Sequence, residues 1–303
     1  IMILQDIGMT PRDPYVISMD KAIEPVGEAR NDYDIFAGIA RCMDTEDSFT
    51  EGRSAEDWQK WIWEQSCERA AKLNVQMPDY ESFREAGFYK SPDLKEDRIF
   101  LSDFFEDPDK NPLGTPSGKI EIFSETIDSF NYEDCPGHPT WMEPTEWLGA
   151  KDKAYPLHLI SNQPKTKLHS QMDNGTLSSS IKIKGHQPLE MNPDDAQSRG
   201  ITQGDIVRVF NGRGSCLCGA NITADVMPGV VIISTGSWYD PAEPNDPKSM
   251  CKHGNPNVLS PDIGTSKLGQ GPAAHSCLAE IEKYDGPVQD ITAFNPPEII
   301  EKK

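Results

Sequence analysis

The chain has 303 residues, with 29 Lys and Arg against 49 Asp and Glu and a formal net charge of −20. Its sequence pI is about 4.6. A field of that sign excludes non-specific attachment to nucleic acid or to an anionic membrane, and no apolar run is long enough to span a bilayer.

The length suits one large or two ordinary domains with a real core. Twenty-five prolines and 23 glycines predict many loops, yet the apolar runs are too regular for disorder. Seven scattered cysteines (Cys42, Cys67, Cys135, Cys216, Cys218, Cys251, Cys277) form neither a zinc-type CxxC pair nor a dense disulfide framework, so most are expected to be buried free thiols.

In chain order, residues 1–13 read as loop and Pro14–Ile23 as a short strand (YVISM) leading to a turn. Asp32–Met43 places Ile35, Phe36, Ile39, Ala40 and Met43 at helical spacing, with Asn31 as N-cap. Ser54, followed three residues later by Asp57, opens a second helix that runs towards Leu73. Its tryptophans Trp58, Trp61 and Trp63 could form a binding stripe, but core and interdomain packing is expected. Tyr80–Ala86 suggests a third short helix, and residues 93–112, rich in charge, a crossing loop. GKIEIFS (Gly118–Ser124) alternates and predicts a strand. Residues 132–153, interrupted by Pro136, Pro139 and Pro144, read as irregular. His138 near Cys135 lacks the further ligands of a metal site. A domain boundary is expected near Ala150.

The second half changes to two-residue periodicity. Tyr155–Ile160 reads as a strand that Asn162-Gln163-Pro164 terminates, because proline has no N–H to donate. Lys165, Thr166, Lys167, His169, Ser170 and Gln171 then offer cationic, hydroxyl, imidazole and amide groups within seven residues, an inventory suited to a phosphate and a hydrogen-bonding heterocycle. A solvated surface loop has the same composition. Asn192 begins a short helix that Gly200 ends. Residues 206–210 and 215–223 flank Asn211-Gly212, a hairpin dipeptide because both residues tolerate positive φ. PGVVIIST is a buried-strand run. Periodicity alone gives a β-rich barrel or sandwich.

Familiar chemistry is mostly ruled out. GTSKLGQG (Gly264–Gly271) fails the phosphate-loop pattern because Gln270 stands where lysine is required, and GxGxxG is missing. Asp194 and Asp195 are adjacent at a helix start, where carboxylates cap rather than pair. No residue is offered as catalytic or as a metal ligand.

The loop YPLHLISNQPKTKLHSQ, together with EMNPDDAQSRGITQGDIVRVFNGRG (Glu190–Gly214), GSWYDP (Gly236–Pro241) and HGNPNVLSPDIGTSKLGQG (His253–Gly271), resembles the molybdopterin oxidoreductases of the dimethyl sulfoxide, trimethylamine N-oxide and biotin sulfoxide reductase branch. EARNDYDIFAGIA (Glu28–Ala40), NPLGTPSGKIEIFSETI (Asn111–Ile127) and YEDCPGHPTW (Tyr132–Trp141) look like the same branch. The resemblance implies an α+β protein: residues 1–150 an incomplete, mainly helical α/β part of the catalytic region, and residues 151–303 a six-stranded double-psi β-barrel that binds a molybdopterin dinucleotide.

Family members are more than twice as long as this chain, so a C-terminal fragment of an enzyme, inactive alone, is implied. Its cofactor would be bis(molybdopterin guanine dinucleotide) molybdenum, its substrate a small S-oxide or N-oxide reduced by oxygen-atom transfer, its electron donor a cytochrome or reductase. The setting implied is anaerobic respiration in the periplasm, with the cytoplasm as alternative.

By matching motifs, Ser161, Asn162, Lys165, His169, Ser170 and Gln171 would line the pterin and pyrophosphate. Asn192 and Asp194 would face a nucleotide end, Asn257 and Gln270 would hydrogen-bond the pterin, and Trp238 and Tyr239 would form an aromatic wall. His169 and Asn257 are expected across one cavity. The family's metal-binding serine lies in an upstream segment. A non-catalytic barrel module using the same loops, or a biotin or methionine sulfoxide reductase, stays open.

Overall fold

The computed structural model describes residues 5–10, 13–92 and 99–296. Packing divides the chain into two compact units, Ile1–Gly114 and Thr115–Lys303. The expected boundary near Ala150 lies between the start of the second unit and that unit's first strand.

In the first unit, strands β1 (Asp6–Met9) and β2 (Tyr15–Met19) pair antiparallel. The expectation of loop before Asp13 is therefore corrected, because β1 has a partner strand to bond. Helix α1 (Asp32–Cys42) is capped by Asn31, whose side chain accepts from the Asp34 N–H. After α2 (Glu46–Thr50), α3 (Ala55–Lys72) opens with a capping box in which Ser54 and Asp57 satisfy each other's backbone N–H groups. Next come α4 (Tyr80–Ala86), β3 (Phe88–Lys90), which pairs with β2, and α5 (Ser102–Glu106).

The tryptophans part company. Trp63 is buried and stacks on Phe83 with ring centroids 3.8 Å apart, while its indole N–H donates to the Pro78 carbonyl. Trp61 is 41% exposed, and the Arg53 guanidinium lies over it and Trp58. Successive helical positions turn to different faces, so only one of the three reaches the core.

GKIEIFS is not a strand. Alternation describes two faces, but a strand also needs a bonding partner, and the segment closes on itself instead: Gly118 N–H donates to the Thr115 carbonyl and Thr115 Oγ1 to that of Lys119. Ile120 and Ile122 are exposed. A short helix α6 (Glu125–Asp128) follows, capped by Ser124.

The rest of the second unit is the six-stranded double-psi barrel that the resemblance implies. Its elements are β4 (Leu157–Ile160), α7 (Thr176–Ser180), β5 (Pro188–Met191), α8 (Pro193–Ser198), β6 (Ile206–Phe210), β7 (Ser215–Ile222), β8 (Val230–Ile233) and β9 (Leu278–Lys283). The strands close in the order β4-β8-β5-β7-β6-β9. Pairs β4/β8 and β5/β7 are parallel, and the others antiparallel. Alternate residues point inward, so Leu157, Leu159, Leu189, Met191, Val207, Val209, Val231 and Ile233 fill one core, joined by Cys216, Cys218, Cys251 and Cys277 as buried free thiols.

The hairpin between β6 and β7 is where expected, for a different reason. Neither Asn211 nor Gly212 takes positive φ. Asn211 is buried and its amide donates to the Leu259 and Leu278 carbonyls. A Cβ at Gly214 would stand 2.7 Å from the Val258 carbonyl oxygen. Tertiary contact, not turn geometry, accounts for Asn211 and Gly214.

Candidate functional site

β4 delivers the chain into residues 161–175, a loop with little apolar content that must be held by hydrogen bonds. Two non-glycine residues there are left-handed, His169 at φ 49° and Met172 at φ 60°, a conformation that needs support from its surroundings. Part of that support is Gly236 at φ 95°: a Cβ there would lie 1.8 Å from the His169 carbonyl oxygen. Trp238 supplies more, its indole N–H donating to the Ser170 carbonyl at 2.8 Å.

Beneath the loop lies a buried charged group. Lys167 and Lys182 both pair with one carboxylate, Asp173, and all three side chains are almost inaccessible. Lys182 Nζ is 2.9 Å from Asp173 Oδ1 and 2.8 Å from His253 Nε2. His253 Nδ1 stands 3.0 Å from the Trp238 carbonyl, which can only accept. Nδ1 therefore carries the proton and Nε2 receives the lysine N–H, so the imidazole is neutral. Burial, reinforced by the Lys182 charge, lowers its pKa to about 4. Burial opposes the Asp173 carboxylate, but hydrogen bonds from Lys167 and Lys182 hold its pKa below the usual value. Burial lowers that of Lys182 despite Asp173. Two cations against one anion leave this interior positive.

Gln187 and Ser237 extend the network. Gln187 Oε1 accepts from Ser237 Oγ at 2.8 Å and lies 3.5 Å from Lys167 Nζ. Trp238 N–H donates to Asp173 Oδ2 at 3.2 Å. GSWYDP, the 161–173 loop and His253 thus meet at one place although 80 positions separate Asp173 from His253.

The predicted site residues fall into two groups. Lys165, His169, Ser170 and Gln171 are exposed on the loop, as are Trp238 and Tyr239 beside it. The side chains of Lys165, Ser170 and Gln171 make no hydrogen bond among the described residues, and His169 Nδ1 meets only Gln163 Nε2 at 3.3 Å. Ser161 is half-buried, and Asn162 Oδ1 accepts from Ser234 Oγ at 2.7 Å.

Elsewhere, polar ends are already used. Asn192 is buried, its Oδ1 capping α8 at Asp194 N–H and its Nδ2 donating to the Val226 carbonyl. Asp194 is exposed at that helix start. Gln270 turns its amide nitrogen onto the Ser266 and Lys267 carbonyls of its own loop. Asn257 is exposed on a 3-10 turn, with a side chain that has no partner among the described residues. His169 and Asn257, expected across one cavity, share no hydrogen bond among the described residues.

Asp173, Lys182, Gln187 and His253 escaped sequence reasoning as a group. A buried ion cluster is assembled by the tertiary fold and has no characteristic spacing. The one available signal was Lys167 directly before LHSQMD and the two lysines within IKIKG.

Residues 157–278 match the family model described as Molydopterin dinucleotide binding domain. The chain is 45% identical over 284 residues to a dimethyl sulfoxide/trimethylamine N-oxide reductase of Cereibacter sphaeroides, covering 93% of this chain and 34% of the relative. Trimethylamine-N-oxide reductase 1 of Escherichia coli (strain K12) is 45% identical over 280 residues, covering 91% and 33%. A biotin sulfoxide reductase of Cereibacter sphaeroides is 42% identical over 286 residues, covering 94% and 38%. Among solved structures, acetylene hydratase from Pelobacter acetylenicus superposes with a TM-score of 0.66 at 20% identity over 92% of this chain and 37% of that one, a likeness of fold. The chain spans about a third of the length of these curated relatives, and over the residues it spans it is similar to the dimethyl sulfoxide, trimethylamine N-oxide and biotin sulfoxide reductases, with a molybdopterin dinucleotide-binding domain at residues 157–278.

Proposed function

We propose that this chain is the dinucleotide-covering part of a molybdenum enzyme that reduces S-oxides or N-oxides, and that residues 161–171 hold an anionic part of a molybdopterin guanine dinucleotide. The observation that carries this reading is a loop of unengaged polar side chains above an interior with excess positive charge. Such a pairing suits a ligand that is both charged and rich in acceptors. Thr166 adds a buried hydroxyl without a partner among the described residues, and Gly236 keeps the loop backbone close where a side chain would displace it. The residues present therefore fit the group.

In this reading Lys165 and His169 meet phosphate oxygens, Ser170 and Gln171 donate beside them, and Asn257 offers its amide to the pterin. Asn192, with both amide ends engaged, holds α8 and not a ligand. When bound, the molybdenum cofactor supplies oxygen-atom and electron transfer. This chain's residues bind, orient and shield it. The S-oxide or N-oxide substrate class follows from what the similar proteins are named for, while the bis(molybdopterin guanine dinucleotide) form, a cytochrome or reductase as electron donor, and a periplasmic place in anaerobic respiration are what the resemblance of the motifs implies. A barrel module without cofactor has no observation in its favour.

The test is the double substitution His169→Ala with Gln171→Ala in the full-length protein. Each unpaired contact to a buried charged ligand costs roughly 1 to 3 kcal/mol, so molybdenum and guanine nucleotide per protein should fall, with S-oxide and N-oxide reduction by a viologen donor. Unchanged content together with unchanged activity would sink the assignment.

A further inference from the structure

The segment that follows β9 runs back across GSWYDP and is fastened there by a buried carboxylate. Asp240 accepts from Thr292 N–H at 2.6 Å, Thr292 Oγ1 at 2.7 Å and Ala293 N–H at 3.1 Å. Lys252 Nζ, 3.3 Å from Asp240, donates to the Asp290 carbonyl and to Thr292 Oγ1. Five bonds on five residues are far more than a passing loop makes. Their effect is to fix Phe294.

Phe294, half-buried, packs against the buried group described above. Its ring meets His253 edge-on with centroids 4.9 Å apart, and Trp238 at 5.2 Å. Lys182 Nζ lies 5.4 Å from the same ring. Trp238 in turn makes three fixed contacts, to the Ser170 carbonyl through its indole, to Asp173 through its N–H and to His253 through its carbonyl. A continuous path of bonds and ring contacts therefore runs from Asp240 through Thr292, Phe294 and Trp238 to the backbone of the exposed loop.

We propose that Asp290–Phe294 is a strap, that Asp240 and Phe294 are positioning residues, and that they set how tightly residues 168–173 retain a bound dinucleotide by fixing Trp238 over Ser170. Neither residue needs to touch the ligand. The proposal rests on the reading that this loop binds the dinucleotide.

The experiment uses the full-length protein purified with its cofactor and the variants Phe294→Ala, Phe294→Leu, Phe294→Tyr and Asp240→Asn. Two readouts are taken: guanine nucleotide retained after timed desalting, and deuterium uptake of peptides covering residues 168–173 against peptides covering β6 and β7. Loss of the two edge-to-face contacts in Phe294→Ala predicts about tenfold faster nucleotide loss. Uptake should rise at 168–173 and stay unchanged in β6 and β7. Asp240→Asn should act in the same direction, Phe294→Tyr should restore retention, and Phe294→Leu, which fills volume without a ring, should not. Wild-type retention and loop uptake in Phe294→Ala and Asp240→Asn would overturn the strap. So would uptake rising equally in β6 and β7, since that marks a merely structural residue. A wild-type protein without guanine nucleotide would instead overturn the binding assignment, while the uptake comparison still decides the strap.

Discussion

Removing the Asp173 carboxylate would leave Lys167 and Lys182 buried beside each other with no counter-charge. Asp173→Asn should therefore destabilise the barrel by about 3 to 5 kcal/mol, the range for breaking a buried ion pair from one side. Urea unfolding measures this, and a change below about 1 kcal/mol would mean that the lysines find other partners. His253 gives the matching pH dependence. Its pKa falls from 6.5 in the open chain to about 4 in the fold, so between those values the unfolded state binds the extra proton. Stability is then complete above about pH 6.5 and declines as the pH falls towards 4, by up to roughly 3 kcal/mol. Asp173 and Asp240, both held below the usual carboxylate range, extend the decline to lower pH. Unfolding free energies measured from pH 7.5 to 4 should show the slope, and His253→Gln should flatten its upper part. An equal slope in the variant would assign the effect to other groups.

For single elements, what could be read in advance depended on how local the cause was. Asn31, Ser54 and Asn192 cap helices through bonds to residues two or three positions on, so spacing alone reveals them. GKIEIFS misled because a strand is defined by a partner that alternation cannot supply. The loop 161–171 was legible as a polar inventory, but its support was not: Gly236 and Trp238 reach it from distant positions, His253 and Phe294 stand behind Trp238, and only the closed barrel brings them together. Gly236 shows how strict that support is. Gly236→Ala would combine a left-handed φ with a Cβ overlapping the His169 carbonyl. The backbone strain alone costs about 1 to 3 kcal/mol, and the loop must also move. Thermal unfolding should show the loss, and limited proteolysis should cut first within 161–175. A variant as stable and as resistant as wild type would show that the approach of the two backbones is not required.

At the scale of the whole chain, the two units are built on unequal cores. The barrel closes every strand edge and surrounds one continuous apolar cluster from Leu157 to Ile281. The first unit centres on Trp63, Tyr80 and Phe83, while α1 leaves Ile35, Phe36, Ile39 and Met43 largely exposed. Local opening is least favourable where buried apolar contact is densest and backbone bonds are shielded from water. β7 has both properties. It is paired on each side by β5 and β6, and Cys216–Ala220 is buried without a break. In the 303-residue chain, amides of β6 and β7 should therefore be the slowest to exchange with deuterium, and those of α1 should exchange at least tenfold faster, a gap of about 1.4 kcal/mol in opening free energy. Peptide-level exchange measured at neutral pH decides the matter. If amides of α1 outlasted those of β7, the barrel would not be the most stable part of this chain, and the positive interior beneath its loop would lack the rigid frame that anion binding requires.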